Sequence, residues 1–545
     1  MDMRRLFLFL IFSFSLVVLW GSWTRQNQPA APTAVAVSAD QTVPAQPALQ
    51  AQQPTATALV AQQNAPAGKK ITVTTDTFRV EINTVGGNIQ QLQLLQHKDA
   101  IDQSKPLTLL EQNGGEHVYV AQSGLLGKGL PTHNSEFTTA SDEYHLTEGK
   151  DTLEVRLTAQ GTADAVTKVY TFHRGSYLVD VAYEILNQGS AALAPSAYFQ
   201  LVRDSTPAAG ASKFVPTFTG PVVYTEQEKF QKIQFTDIEK NKIKLPQNPD
   251  NGWIGMLQHY FVSAWLHTDK GPREFYAKQL GGKEFSAGII LPVASIEPGQ
   301  TGRISATLYA GPAQSKLDDI APGLGLSVDY GWVTIFSTPL FWLMSHLNDL
   351  VHNWGVAIIL LTVLIKLAFF PLSAASYRSM AKMRLVAPKL EKIKQQYGDD
   401  REKLNHAMMD LYKTEKINPL GGCLPMLIQI PVFIALYWAI LSSVELRHAP
   451  FVGWIHDLSA TDPYYVLPII MGISMLLQSK LNPVPPDPLQ AKLMQVMPIV
   501  FSVVFFFFPA GLVLYSIVNN ILSIAQQWYI THGQEAGQKG GTKAR

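Results

Sequence analysis

A single cysteine, Cys423, stands in 545 residues. That excludes an intramolecular disulfide framework and any cysteine-cluster metal site. Charge is scarce as well: Asp, Glu, Lys and Arg make up 16% of the chain, where an ordinary soluble protein carries roughly 25%. The 43 basic and 42 acidic residues leave a net charge of +1, which argues against a globally basic nucleic-acid binder and against a disordered polyelectrolyte. Catalytic signatures are missing: neither His-Glu-x-x-His nor Gly-x-Ser-x-Gly occurs. Gly124-Leu125-Leu126-Gly127-Lys128-Gly129 has the glycines of a phosphate-binding loop without its spacing or its Ser/Thr. With no assignable acid pair, nucleophile or metal-ligand cluster, the chain is expected to be non-enzymatic, with no cofactor and no metal.

Apolar residues reach 47% but are unevenly spread. After Arg4 and Arg5, residues 6–23 form an uncharged apolar run. It is longer than a signal-peptide core and close to the roughly 20 residues that span a bilayer, so residues 1–25 read as an uncleaved anchor whose start stays in the cytoplasm. Residues 26–68 are rich in Ala, Gln, Pro and Thr, too apolar-poor to offset ordering entropy, and read as a tether. Over residues 69–325 the period becomes two: Phe78, Val80 and Ile82 alternate with Arg79 and Glu81, and 153–157 and 177–181 repeat the theme. Many short strands with Gly, Asn and Pro punctuation predict a large all-β sandwich.

The rest predicts a multi-pass helical membrane protein. Residues 326–353 read as an interfacial amphipathic helix, with Trp332, Ile335, Phe336, Phe341, Met344, Leu347 and Val351 apolar. Five apolar segments follow, at 354–373, 418–443, 464–478, 493–509 and 511–530, which with the anchor make six spans. Ten basic residues between the second and third spans, and a basic tail at 531–545, contrast with Arg447 alone in the opposite loop. The positive-inside bias then puts the sandwich in the periplasm and both termini in the cytoplasm. The spans at 464–478 and 493–509 are short, which favours local bilayer thinning, though a re-entrant pair fits the same charge pattern.

Lys366 lies inside the second span, which holds no acidic residue. A lysine near mid-bilayer costs roughly 2.5–3.5 kcal/mol. Snorkelling toward the cytoplasmic end works against the Cβ tilt, which points toward the helix N-terminus. Thr362 shares its face, and Gln429, Phe433, Tyr515, Ser516, Asn519, Asn520 and Ser523 join as candidate lining residues of a hydrated groove. Plain helix–helix hydrogen bonding is the competing reading of the Ser and Asn stripe. Residues 374–417 predict a basic helical hairpin, with Met383, Val386, Leu390, Ile393 and Tyr397 on one apolar face and Asp399 with Glu402 as a capping box. Arg378, Lys382, Arg384, Lys389 and Lys392 face outward, suited to anionic phospholipids or a docking partner.

Several local runs resemble those of the YidC membrane-protein insertases: Met380-Ala381-Lys382-Met383-Arg384, the segment from Tyr412 through Asn418-Pro419-Leu420-Gly421-Gly422-Cys423-Leu424-Pro425, Trp454-Ile455-His456-Asp457-Leu458-Ser459, and Phe508-Pro509-Ala510-Gly511-Leu512. The resemblance covers the whole chain, in the form with a large periplasmic domain. It implies a five-helix groove open to cytoplasm and lipid, holding one positive charge, usually arginine. This chain departs by placing Lys366 there, and by having Tyr515-Ser516 where some relatives carry two tyrosines. It also implies that the hairpin serves substrate recruitment and contact with the ribosome and signal-recognition pathway, and that nascent membrane proteins and the Sec translocon are partners. The sandwich is similar to sugar-binding sandwiches, which does not imply sugar binding. The expected activity is insertion and assisted folding of inner-membrane proteins. A solute transporter or channel is the alternative, against which no internal repeat is found; a membrane-bound enzyme would need acids that cannot be assigned.

Overall fold

The structure is a computed structural model. It describes residues 68–542 apart from 100–101, 114–116, 163, 209–216, 329, 331–332, 399, 416–423 and 483–487. The expected anchor, the tether up to residue 67, Trp332, Asp399 and Cys423 lie outside the described residues.

The strands are β1 (Lys70–Thr74), β2 (Phe78–Asn83), β3 (Asn88–Lys98), β4 (Pro106–Asn113), β5 (His117–Leu126), β6 (Phe137–Thr138), β7 (Glu143–His145), β8 (Thr152–Ala159), β9 (Ala165–His173), β10 (Leu178–Leu186), β11 (Ser196–Asp204), β12 (Gly220–Thr225), β13 (Lys229–Lys232), β14 (Trp253–Gln258), β15 (Phe261–Leu266), β16 (Glu274–Gly281), β17 (Glu284–Pro292) and β18 (Thr301–Pro312). Helix α1 (Phe235–Glu239) is a short insert, and after β18 come α2 (Thr334–Val351), α3 (Trp354–Ala368), α4 (Phe370–Tyr397), α5 (Arg401–Thr414), α6 (Leu424–Ser442), α7 (Val466–Leu481), α8 (Pro488–Phe505) and α9 (Ala510–Thr542). The described residues form two compact units, one of those within Met1–Pro207, Ile233–Asp250 and Gly271–Thr307, the other of those within Ala208–Lys232, Asn251–Lys270 and Leu308–Arg545.

The first unit is a β-sandwich. One sheet runs β16-β17-β11-β5-β4-β3-β2-β1-β7, and facing it β10, β9, β8 and β6 pair in that order. Alternation decides the faces: in β2, Phe78, Val80 and Ile82 are buried while Arg79 is exposed. In β8, Val155, Leu157 and Ala159 point inward between Glu154, Arg156 and Thr158. Each fully buried aliphatic side chain contributes roughly 1.5–3 kcal/mol. Polar ties cross the core. The Ser123 and Tyr183 hydroxyls bond at 3.0 Å, and Lys168 Nζ donates to the Gly86 and Gly87 carbonyls at 3.1 and 2.9 Å. That turn needs glycine: Gly86 has φ +75°, and a Cβ there would sit 1.9 Å from the His133 carbonyl oxygen.

In the second unit, β13-β12-β14-β15 form an antiparallel run. The turn joining β14 to β15 bonds the end of a helix: the His259 Nε2 atom lies 2.8 Å from the Leu441 carbonyl at the C-terminal end of α6. The Arg447 guanidinium lies over the Tyr260 and Phe261 rings, at 5.9 and 5.7 Å. Helix α2 buries Ser337, Phe341 and Met344, and the Ser337 hydroxyl donates to the Ala435 carbonyl of α6 at 2.9 Å. Its opposite face leaves Ile335, Phe336, Trp342 and Leu350 53–77% exposed. That open face also exposes Thr334, Thr338, His346 and Asp349, so it mixes apolar and polar side chains.

The segment expected as one straight span at 354–373 is broken. Helix α3 ends at Ala368, and α4 starts at Phe370 after a bend of 67°. Pro371 in the first turn of α4 lacks the backbone donor that a continuous helix would use. Among the described residues, no single helix is long and apolar enough to cross a membrane, while α3 and α4 meet that test as a bent pair. In the hairpin, Val386 and Tyr412 form a small core, with Met383, Leu390, Met408 and Leu411 packed on it. The N-cap of α5 is Asp400, whose carboxylate accepts from Glu402 N and Lys403 N.

Candidate functional site

Helix α9 is the element on which the candidate residues converge. Tyr515 and Ser523 lie eight positions apart, or about 12 Å along its axis. At the upper position, Gln429 of α6 donates its amide to the Tyr515 hydroxyl. Phe433, one turn further along α6, packs its ring edge against Phe505 and Phe508 at 6.0 and 6.4 Å. At the lower position, Lys366 Nζ, in the last turn of α3, donates to Ser523 Oγ at 2.7 Å. The Ser523 hydroxyl in turn donates to the Asn519 carbonyl at 2.7 Å. Lys366 is half-buried and, among the described residues, pairs with no carboxylate. A cation in the last turn of a helix is favoured by the unsatisfied carbonyls there.

The other polar candidates are placed differently. Thr362 is buried and donates to the Ile358 carbonyl at 2.7 Å, one turn back in its own helix. Ser516 does the same with the Leu512 carbonyl at 2.9 Å. Such back-bonding satisfies a hydroxyl inside a helix pair without needing water. Asn520 points to α7, where its amide donates to Ser474 Oγ at 3.1 Å. Gln527 also faces α7, capping the Leu481 carbonyl at 2.9 Å. The polar stripe of α9 is thus divided. Ser523 turns to the lysine, while Asn520 and Gln527 bond the neighbouring helix.

One residue was absent from the sequence candidates. Tyr377 of α4 is buried in a small cluster with Ala374, Met380 and, from α9, Ile530. No local pattern marks Tyr377, because its approach depends on the break between α3 and α4. In the hairpin, Arg378, Lys382 and Lys392 are exposed and Arg384 is partly covered. Lys389 is paired at 2.6 Å with Glu415, the C-cap of α5, in an exposed ion pair worth little beside the apolar contacts of the hairpin. Hydrogen bonds from Lys403 and Glu402 hold the Asp400 carboxyl below its usual range.

Residues 70–343 match the family described as the YidC periplasmic domain, and residues 346–537 the family described as 60Kd inner membrane protein. A curated protein of Nitrosospira multiformis, named membrane protein insertase YidC, is 54% identical over 567 residues and is covered, like this chain, over 100% of its length. A protein of the same name from Methylobacillus flagellatus is 54% identical over 555 residues, again with 100% of both chains covered. A solved structure described as an active YidC insertase with its first transmembrane domain resolved is similar over 85% of this chain and 93% of that one, at 19% identity and a TM-score of 0.41.

Proposed function

The chain belongs to the YidC family of membrane protein insertases, and from that premise we propose that Lys366 is the groove charge through which it draws polar segments of nascent membrane proteins out of the cytoplasm. It is an inner-membrane protein with a periplasmic domain, and an insertase rather than an enzyme. In the proposed topology six helices span the bilayer, both termini are cytoplasmic, and the basic hairpin meets the ribosome, the signal-recognition pathway and anionic head groups. The Sec translocon is the proposed partner for larger substrates.

The observation that carries this reading is a half-buried ammonium with no carboxylate partner among the described residues, seated on a single serine oxygen. An aspartate entering to 4 Å would gain about 4 kcal/mol at an effective dielectric of about 20, before desolvation. That is comparable to the roughly 2.5–3.5 kcal/mol that an aspartate costs at mid-membrane. The membrane potential adds about 2.3 kcal/mol per 100 mV for each negative charge moving outward. Burial of the substrate's apolar segment in lipid completes the step, and no nucleotide is consumed. Lys366→Ala is expected to slow insertion of substrates with acidic translocated tails more than neutral ones, in proteoliposomes programmed with both. Equal slowing of the two classes would overturn the attraction step, and solute flux through the purified protein would favour a channel.

A further inference from the structure

Residues 443–465 join α6 to α7, and they meet the first turns of three helices. Such a turn leaves backbone N–H groups without partners inside the helix. In α9, Ala510 N donates to the Ala460 carbonyl at 2.7 Å and Gly511 N to the Leu458 carbonyl at 2.9 Å. In α7, Leu467 N donates to the Asp462 carboxylate at 2.7 Å. At α3, the Asn353 side chain caps Val356 N at 3.0 Å and donates to the Phe451 carbonyl at 3.2 Å. The Phe451 ring lies so close to that helix that a Cβ on Gly355 would overlap it. Asp462 is 1% exposed and also accepts from Trp454 Nε1 and Tyr464 N, each at 3.0 Å. One buried carboxylate thus ties the middle of the segment to its end and to α7, where the helix dipole favours a negative charge.

We propose that Asp462 is a positioning residue that pins residues 443–465 across the outer ends of α3, α7 and α9, and that the pinned segment keeps the membrane ion-tight beside a hydrated groove. The inference rests on the topology proposed above and goes beyond the groove-charge reading, which gives this segment no task. A groove wet enough to hold an ammonium brings water part-way across the bilayer, so the remaining depth must exclude ions. At 1.5 Å per residue, Lys366 stands about 18 Å from the Trp354 end of α3, and Ser523 about 20 Å from the Ala510 end of α9. Over that depth Ile358, Leu361, Leu512 and Val513 are 0–1% exposed. Such packing excludes ions only while the helices keep their spacing. The segment holds that spacing from outside, because one stretch of chain bonds α3 at Phe451 and α9 at Leu458 and Ala460. Without the Asp462 carboxylate, the Trp454 indole, Tyr464 N and Leu467 N lose their acceptor. Unmet buried donors favour a state in which the segment lifts and water reaches them.

The test uses the full-length protein in proteoliposomes, where a potassium diffusion potential drives protons inward and a trapped pH dye reads their entry. Asp462→Ala is expected to raise proton entry about tenfold or more over wild type, the worth of a hydrogen bond to a charged group. Trp454→Phe removes one of the three donors and keeps an aromatic ring. It is expected to raise entry about two- to tenfold, and it carries the test where Asp462→Ala does not reconstitute. Amide exchange at Ala510 and Gly511 reports loosening of the segment and is expected to quicken in both variants. If those amides quicken while proton entry stays at the wild-type rate, Ile358, Leu361, Leu512 and Val513 hold the barrier alone and the proposal is overturned. If they do not quicken, Asp462 does not pin the segment, and the proposal is overturned as well. Lys366→Ala is expected to leave entry at the wild-type rate; a rise equal to that of Asp462→Ala would place the barrier at the lysine and overturn the pin. The groove-charge reading stands or falls on acidic against neutral tails, and proton entry is read with no substrate present, so the two failures are distinguishable.

Discussion

His133 sits 3% exposed in the sandwich, its backbone N–H donating to the Tyr198 hydroxyl at 3.0 Å and its carbonyl accepting from Asn88 at 2.8 Å. Burial, reinforced by the Lys168 and Lys278 charges, lowers its pKa from 6.5 to about 4. The folded domain thus holds the neutral ring and binds fewer protons than the unfolded chain. Its contribution is complete above pH about 6.5 and is lost on acidification toward about 4, a loss of about 3 kcal/mol. Hydrogen exchange of β5 and β9 in the full-length protein at pH 7.5 and 4.5 should show that loss, and His133→Gln should flatten it. An unchanged pH response in the variant would remove His133 as the cause. Gly86→Ala, at φ +75° and facing a carbonyl at 1.9 Å, should cost at least 1–3 kcal/mol, roughly the strain of a forced left-handed residue plus a shifted loop; thermal unfolding measures it. Period-two alternation told that Phe78, Val80 and Ile82 of β2 face inward, but nothing in the pattern marks Lys168 of β9 as buried. Its carbonyl partners lie 82 and 81 residues away, and pattern within a strand carries no such information.

At the scale of elements, strands were legible because one face of each is buried, and burial writes itself as alternation. Helices α3 and α4 were less so. Apolar content continues across Phe369 and Phe370, so composition reads one span where the backbone turns by 67°. Spacings of three and four put the polar residues of α9 on one stripe, yet spacing fixes a face and not the neighbour it meets. Asn520 bonds Ser474 across to α7 while Ser523 takes Lys366. The cap of α5 moved by one residue from the expected Asp399 box to Asp400. The pairing of Asp400 with two backbone N–H groups predicts that Asp400→Ala frays the first turn of α5. Faster amide exchange at Glu402 and Lys403, with α4 protection unchanged, is the expected outcome. Protection lost along both helices would mean that the hairpin is held by its turn rather than by Val386 and Tyr412.

For the whole molecule the governing quantity is the length of its helices against the bilayer. Helices α3 and α7 have 15 and 16 residues, about 22 and 24 Å at 1.5 Å per residue, against a hydrocarbon layer of about 30 Å. Helix α9 runs about 29 Å from Ala510 to the exposed Trp528 and Tyr529, which places amphipathic rings where an interface would lie. A group of spans of unequal length cannot match one thickness. In the topology proposed above, the shorter helices would hold the layer thin beside Lys366, and a tail crossing there would meet a shorter apolar path. Mismatch costs fractions of a kcal/mol per Å, so lengthening the acyl chains should oppose the thinning. Insertion of acidic-tail substrates is therefore expected to fall steadily as proteoliposome lipids are lengthened from about 16 to about 22 carbons, a range of about 10 Å in thickness at roughly 1.5–1.8 Å per added carbon across two leaflets. Substrate helicity and protein content should stay constant across the series. Rates that ignore chain length, or rise with it, would mean that the short helices are buried among their neighbours and that the bilayer beside Lys366 keeps its full depth.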